Sequence, residues 1–183
     1  MAIEIEKKYR VNADQLSAVI AALSEDGAIL HGDEYEVNII YGGPPLDPAG
    51  AVVRIRKTSN GSLLTYKRRI EDHHAVKQQI EYESAIADPD EVDSILTCLG
   101  LVPRLIYEKR RQTWKYLDVE VVLDELPFGT YIEIEGPMFA ITEAELRLGM
   151  EDLEVENETY PRLTMRYGKL TEGIIESRFG PKG

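Results

Sequence analysis

AVVRIRKTSNGSLLTYKRRI, residues Ala51–Ile70, is the stretch from which the fold is read. Ser59-Asn60-Gly61 contains the Asn-Gly pair, a strong hairpin signal, because both residues tolerate the positive φ that tight hairpin turns use. On either side of it, charge and apolarity alternate. Arg54 and Arg56 are separated by Ile55, and Lys67 and Arg69 by one residue, while Val53, Ile55, Leu64 and Tyr66 form the opposite set. Side chains two apart on a strand share a face. The stretch therefore predicts an antiparallel hairpin, strands 51–58 and 62–70, with one basic face and one apolar face.

The same alternation recurs in both directions along the chain. Residues 2–10 predict a strand with Ile3, Ile5 and Tyr9 on one face and Glu4, Glu6 and Lys8 on the other. Further strands are expected at 28–41, 77–86, 103–116, 118–125 and 129–136, about eight in all. Asn12-Ala13-Asp14-Gln15 has the form of a capping box and opens a helix whose apolar stripe is Leu16, Val19, Ile20 and Leu23. Asp88-Pro89-Asp90-Glu91 starts a second helix, expected to bury Val92, Ile95, Leu96 and Leu99. Thr142-Glu143-Ala144-Glu145 is expected to cap a third. A short helix from about residue 160 and a loose tail close the chain. The expected fold is α+β: a closed eight-stranded antiparallel β-barrel with a charged interior and helices packed outside, since eight strands is about the number that closes into a small barrel.

The charged positions carry the functional reading. Lys109 with Arg111 is basic; Glu81 with Glu83, Glu120 with Asp124, and Glu133 with Glu135 are acidic. A face that only keeps a sheet soluble intersperses signs and mixes in Ser, Thr and Gln. Here whole strands carry one sign. Arginines match phosphate oxygens in pairs, and carboxylates suit hard cations such as Mg²⁺. Basic strands facing acidic strands across a narrow lumen would hold a metal and a polyphosphate together.

Glu4-Ile5-Glu6-Lys7-Lys8 resembles the ExExK signature of the CYTH superfamily, the triphosphate tunnel metalloenzymes. Val53-Arg54-Ile55-Arg56, Thr65-Tyr66-Lys67, Ile80-Glu81-Tyr82-Glu83, Glu108-Lys109-Arg110-Arg111, Leu123-Asp124-Glu125-Leu126 and Ile132-Glu133-Ile134-Glu135-Gly136 follow in that family's order. The resemblance is nearest to the class IV adenylyl cyclase and thiamine triphosphatase-like branch. Thr159-Tyr160-Pro161-Arg162-Leu163 is similar to that branch's C-terminal Ser-Tyr-x-x-Leu, and Gly42 stands where similar sequences often carry Asp.

The resemblance implies one CYTH-like domain over residues 1–183, with a core at 3–170, a tail at 171–183 and a tunnel fold. It implies that Lys8, Arg54, Arg56, Lys67, Lys109 and Arg111 bind triphosphate, with Arg69 beside them. Glu4, Glu6, Asp124, Glu133 and Glu135 would hold Mg²⁺ or Mn²⁺ directly or through water. Glu4, Glu6 and Lys8 form the expected catalytic group. Glu81 and Glu83 would orient the others from behind. The expected activity is metal-dependent hydrolysis of inorganic or organic triphosphate. The alternatives are an adenylyl cyclase on the same scaffold and a polyphosphate-binding protein without turnover.

Composition bounds the rest. The 183 residues carry a net charge of −12, which argues against a nucleic-acid polymer as partner and leaves room for a basic pocket that takes a small anion. The N-terminus is charged from Glu4, unlike a signal peptide, and no apolar run approaches the ~20 residues needed to cross a bilayer. Cys98 is the sole cysteine, which suits a cytoplasmic location and is expected as a small buried residue on a helix. His31, His73 and His74 show no zinc spacing. Trp114 and Tyr116 are expected in packing roles, and Arg166 and Lys169 on a solvated helix face. Glu151–Glu156 is expected as an exposed acidic loop.

Overall fold

The structure is a computed structural model. It describes residues 5–46, 50–70 and 78–180, with the backbone alone for residues 69, 70, 78 and 79. In chain order the elements are β1 Glu6–Val11, α1 Ala13–Glu25, β2 Ile29–Gly42, β3 Ala51–Thr58, β4 Gly61–Ile70, β5 Gln78–Ile86, α2 Pro89–Cys98, β6 Val102–Tyr116, β7 Val119–Leu126, β8 Gly129–Glu135, α3 Met138–Arg147, β9 Glu154–Val155, α4 Tyr160–Tyr167, β10 Lys169–Thr171 and β11 Ile174–Ser177. Among the described residues, the strands of six or more residues, β1 to β8, fall where the alternation predicts them; residues 2–4 of the first expected strand lie outside the described residues, and β1 begins at Glu6. The chain forms two compact units: Met1–Tyr35 with Lys109–Glu158, and Glu36–Glu108 with Thr159–Gly183.

In the first unit, β7 pairs antiparallel with β6 and with β8, and β1 joins the other edge of β8. The apolar faces of these strands, with Tyr9, Val121, Leu123, Ile132 and Ile134, pack beneath α1 and α3, which contribute Val19, Leu23, Ile141 and Ala144. Asn12 caps α1 as expected: its side chain accepts from the Gln15 N–H, and the Gln15 side chain accepts from the Asn12 N–H, each at 2.9 Å. The opposite sheet face is closed as well. Asp124 and Tyr131 have no exposure, and Lys109 has 3%. A solvated outer face would leave those positions open.

In the second unit, β2, β3, β4 and β5 form consecutive antiparallel pairs. Tyr41, Val53, Ile55, Leu96 and Leu101 build its core. Asp88 accepts the N–H groups of Asp90 and Glu91 at 3.0 Å and starts α2, with Pro89 in its first turn.

Three local expectations are corrected. First, α2 turns a narrower stripe inward than expected. Leu96 is buried and Val92 packs beside it, but Ile95 and Leu99 are 55% and 63% exposed and Cys98 is exposed. Residue 95 projects about 60° from Val92 and about 100° from Leu96, and Leu99 is the C-cap residue just beyond the helix. Second, α3 begins at Met138 behind Pro137, because proline presets the dihedral of a helix start. Thr142 sits one turn inside, bonded to the Met138 carbonyl at 3.1 Å. Third, residues 169–179 are not a loose tail. β10 and β11 form a hairpin, and β11 runs parallel to β6 at residues 105–107. Glu108 then accepts from the Phe179 N–H at 2.7 Å and from Arg178 at 3.3 Å. Four residues are too short for a periodic signal.

Among the described residues no helix is long and apolar enough to cross a membrane. Arg166 is exposed on α4 and most of 151–156 is exposed, as expected; Lys169 is exposed but opens β10 instead of lying on a helix, and Glu154–Val155 form β9 within the expected loop. Trp114 packs beside the first unit's core, and Tyr116 is within it.

The close approach at Gly168 makes a test of the terminal packing. A Cβ there would lie 2.6 Å from the Thr164 carbonyl and 2.8 Å from the Ile175 side chain. Gly168→Ala should cost about 1–3 kcal/mol, read as a lower urea midpoint with unchanged slope.

Candidate functional site

The strand register sets the ion pairs of the first unit. β1 places Lys8 opposite Glu133, and β6 places Arg111 opposite Asp124. Lys8 Nζ lies 3.5 Å from Glu133 and 3.9 Å from Glu6, and donates to the Glu158 carbonyl at 3.0 Å. Arg111 holds Asp124 with two hydrogen bonds, 2.8 and 2.5 Å, and reaches Glu133 at 2.8 Å. Lys109 is 3.4 Å from the same Asp124. Of these groups only Glu6 is widely open, with half of its side chain exposed. β1 is fixed from its other face, where Lys7 and Tyr9 both donate to the buried Glu145 of α3. That anchor aims Glu6 and Lys8 at the charged cluster.

Glu133 is the stressed member. Burial raises its carboxyl above the ordinary value, and the negative charges of Asp124 and Glu6 raise it further, against the lowering pull of Arg111 and Lys8. Beside it, Glu6, Glu135 and Glu120 occupy adjacent positions on three neighbouring strands, an arrangement of like charges that is unfavourable unless a cation intervenes.

The second unit gathers another set. Arg54 donates to Thr65 at 3.3 Å, and Thr65, itself fully buried, donates to Glu83 at 2.9 Å. Arg54 is also 3.7 Å from Glu83, and Lys67 is 2.9 Å from Glu81. Arg56 faces Asn38 across the ladder and lies 3.8 Å from Glu36. Tyr107 is buried beside these groups. Burial pushes its hydroxyl up; Arg54 and Arg56 pull it back, and Glu36 opposes them.

Among the sequence-predicted residues, the structure thus gathers Glu6, Lys8, Lys109, Arg111, Asp124 and Glu133 in one cluster, with Glu135 next to Glu6 across the ladder. It gathers Arg54, Arg56, Lys67, Glu81 and Glu83 in the other. Glu4, His73 and His74 lie outside the described residues, and the side chain of Arg69 is not among those described. Sequence reading passed over Glu36, Asn38, Thr65 and Tyr107. Glu34, Glu36 and Asn38 do share the period-2 signal of β2, but an acidic pair followed by an amide has no basic row beside it on the same strand to draw attention.

The donor set of the first unit fits a hard divalent cation. It offers carboxylate oxygens and neither thiolate nor imidazole, and the raised Glu133 carboxyl marks a place where added positive charge is favourable. Among the described residues no three acidic, histidine or cysteine groups converge as a complete cage. Magnesium characteristically uses only one or two carboxylates together with water and substrate phosphates. Glu6 and Glu133 are the residues that would hold it, with Glu135 opposite Glu6 on the ladder.

Comparison with known proteins defines the class. Residues 2–160 match the CYTH domain model, and the chain belongs to the CYTH domain family. Among solved structures, the chain is similar to the PH1012 protein of Pyrococcus horikoshii OT3 at 25% identity, over 87% of this chain and 98% of that one, with TM-score 0.73. It is similar to HpAC1 of Hippeastrum, described as an adenylyl cyclase candidate with a dominant triphosphatase activity: 19% identity, 96% and 100% coverage, TM-score 0.69. A candidate adenylate cyclase of Vibrio parahaemolyticus matches at 19% identity, 89% and 98% coverage, TM-score 0.67. No curated protein matches the sequence. The α+β class read from the strand pattern is that of these structures.

Glu133 provides a test of the cluster's electrostatics. A carboxyl raised in the folded chain adds no cost where both states hold the proton. Its cost grows as pH rises from the unfolded value through the folded one. Metal-free Glu133→Gln should therefore be at least as stable as the parent at pH 7, with the difference closing toward pH 4. Denaturant titrations at the two pH values check this.

Proposed function

We propose that this chain is a metal-dependent triphosphatase that acts as one CYTH-like domain over residues 1–183, in the cytoplasm. The observation that supports it best is the first unit's cluster. Three buried or half-buried cations, Lys8, Lys109 and Arg111, are interleaved with Asp124, Glu133 and Glu6 at 2.5–3.9 Å. Such a set can exchange partners. Phosphate oxygens take the cations, and the released carboxylates face a divalent ion.

In this reading Lys109 and Arg111 bind phosphate oxygens, and Arg111 supplies a planar pair of donors. Lys8, held by the Glu158 carbonyl, stands beside Glu133 to neutralise charge that develops on the phosphoryl group. Arg54, Arg56 and Lys67 of the second unit, and Arg69, are phosphate ligands as well; Glu83 holds Arg54 in place and Glu81 holds Lys67. Glu6 and Glu133, with Glu4, Asp124 and Glu135, are the metal-binding carboxylates. Bound Mg²⁺ or Mn²⁺ would supply charge neutralisation and a site for water. Water attacks the terminal phosphorus, the P–O bond to the remaining diphosphate breaks, and no side-chain nucleophile is required.

Phosphorus NMR of the protein with Mg²⁺ and equal amounts of inorganic triphosphate and ATP tests the activity. Orthophosphate appearing from either substrate supports hydrolysis. Pyrophosphate appearing from ATP with cyclic AMP makes the chain a cyclase, the activity named for two structural neighbours. Tight binding without products makes it a binding protein. Glu6→Gln should remove turnover and the Mg²⁺-dependent rise in melting temperature, while leaving the circular dichroism spectrum unchanged. Near-parental turnover would take Glu6 out of the metal site.

A further inference from the structure

The second unit contains a polar arrangement that a bare polyphosphate cannot satisfy. Asn38 has no exposed surface. Its amide Nδ2 donates to Glu36 Oε2 at 3.1 Å, and because a carboxylate only accepts, this bond fixes which way the amide points. Asn38 Oδ1 is then left as a buried acceptor without a donor among the described residues. The Nε–H groups of Arg54 and Arg56 are likewise buried donors that lack an acceptor. Native interiors rarely leave such atoms unmet, and each costs about 1–3 kcal/mol when they do.

These atoms belong to one neighbourhood. Arg56 is the ladder partner of Asn38, and Arg54 of Ile40, two residues along β2. Glu36, 1% exposed, lies 3.8 Å from Arg56, close enough for attraction but too far to occupy its donors. The neighbourhood therefore offers two guanidinium donors beside one unmet acceptor, Asn38 Oδ1, and the negative charge of Glu36. Inorganic triphosphate brings acceptors alone. It would satisfy the arginines, leave Asn38 unmet and be repelled by Glu36. A ligand that suits both halves carries phosphate oxygens and, a short distance away, an O–H or N–H.

We infer that Asn38, supported by Glu36, reads a hydrogen-bond donor on the organic part of the substrate, so that the chain selects hydroxyl- or amine-bearing organic triphosphates over inorganic triphosphate. Arg56, which is 22% exposed, lies across the ladder from Asn38, and its turning onto phosphate would be the step that opens a path to the amide oxygen. Sites that hydrogen-bond a substrate group reject analogues lacking it strongly, because the protein's own polar atom is then left unpaired. This inference rests on the triphosphate reading above and narrows it.

The test is the rate of substrate loss, as kcat/KM with Mg²⁺, for ATP, inorganic triphosphate and methyl triphosphate, an ester with no donor. The parent chain should favour ATP over both others by about tenfold or more, the scale on which such sites discriminate. Asn38→Leu should lower the ATP value at least tenfold more than the inorganic triphosphate value. Equal use of ATP and inorganic triphosphate by the parent chain, or an equal loss on both in Asn38→Leu, would overturn the inference. Should Asn38→Leu fail to fold, the parent's three-substrate comparison decides alone. A parent chain that consumes none of the three loses the triphosphate reading itself, and this inference falls with it.

Discussion

Asp124 has no exposed surface, and a carboxylate in that position must be met by cations or by a proton. The chain meets it with Arg111 and Lys109, both on β6, and the register of β6 on β7 brings Arg111 directly opposite. That one requirement propagates. Arg111 also reaches Glu133, and Glu133 in turn faces Lys8 on β1. Four strands of the first unit are thus tied through charges as well as through the backbone ladder. A slip of one residue would turn every charged side chain toward the apolar core, so the ion pairs and the hydrophobic face enforce the same register.

A cluster balanced in this way has a chemical consequence. Lys8, Lys109 and Arg111, which phosphate could use, are each engaged with a carboxylate, and Glu6, Asp124 and Glu133, which a metal could use, are each engaged with a cation. Phosphate alone would strip Asp124 and Glu133 of their partners and leave buried negative charge. A divalent ion alone would leave Lys8 and Arg111 without theirs. When both arrive, the two sets exchange partners and nothing is left uncompensated. The raised Glu133 carboxyl shows how close the metal-free cluster already is to that limit. This balance gives a physical reason for coupling between metal and anion in the proposed activity.

Period-2 spacing was enough to read the eight long strands and to separate the charged face from the apolar one, because the alternation is nearly unbroken in rows such as Val53–Arg56 and Ile132–Glu135. It could not reveal that the charged face of the first unit is closed from solvent, since a solvated sheet has the same alternation. It also passed over Glu36, Asn38 and Thr65. Their importance comes from burial and from cross-strand neighbours far away in sequence, Arg56 for Asn38 and Glu83 for Thr65. The start of α3 was displaced because Thr142-Glu143 imitates a cap one turn inside a helix that proline had already begun. β11 was missed because its stability comes from pairing with residues 105–107 and from the bonds of Glu108, not from a local pattern.

The net charge of −12 and the proposed anionic substrate are compatible because the two act over different ranges. Exposed carboxylates such as Glu151, Asp152 and Glu154 are screened by salt over about 8–10 Å. They discourage an extended polyanion, whose binding needs many cations along a surface. Lys8, Lys109 and Arg111 act where water is largely excluded and the effective dielectric is lower, so each is felt more strongly by a group in contact with it. In that small volume three cations meet three carboxylates, Asp124, Glu133 and Glu6, so the cluster is close to balanced although the chain as a whole is strongly negative. The distribution of charge between surface and interior, more than its sum, decides which anions this chain can accept.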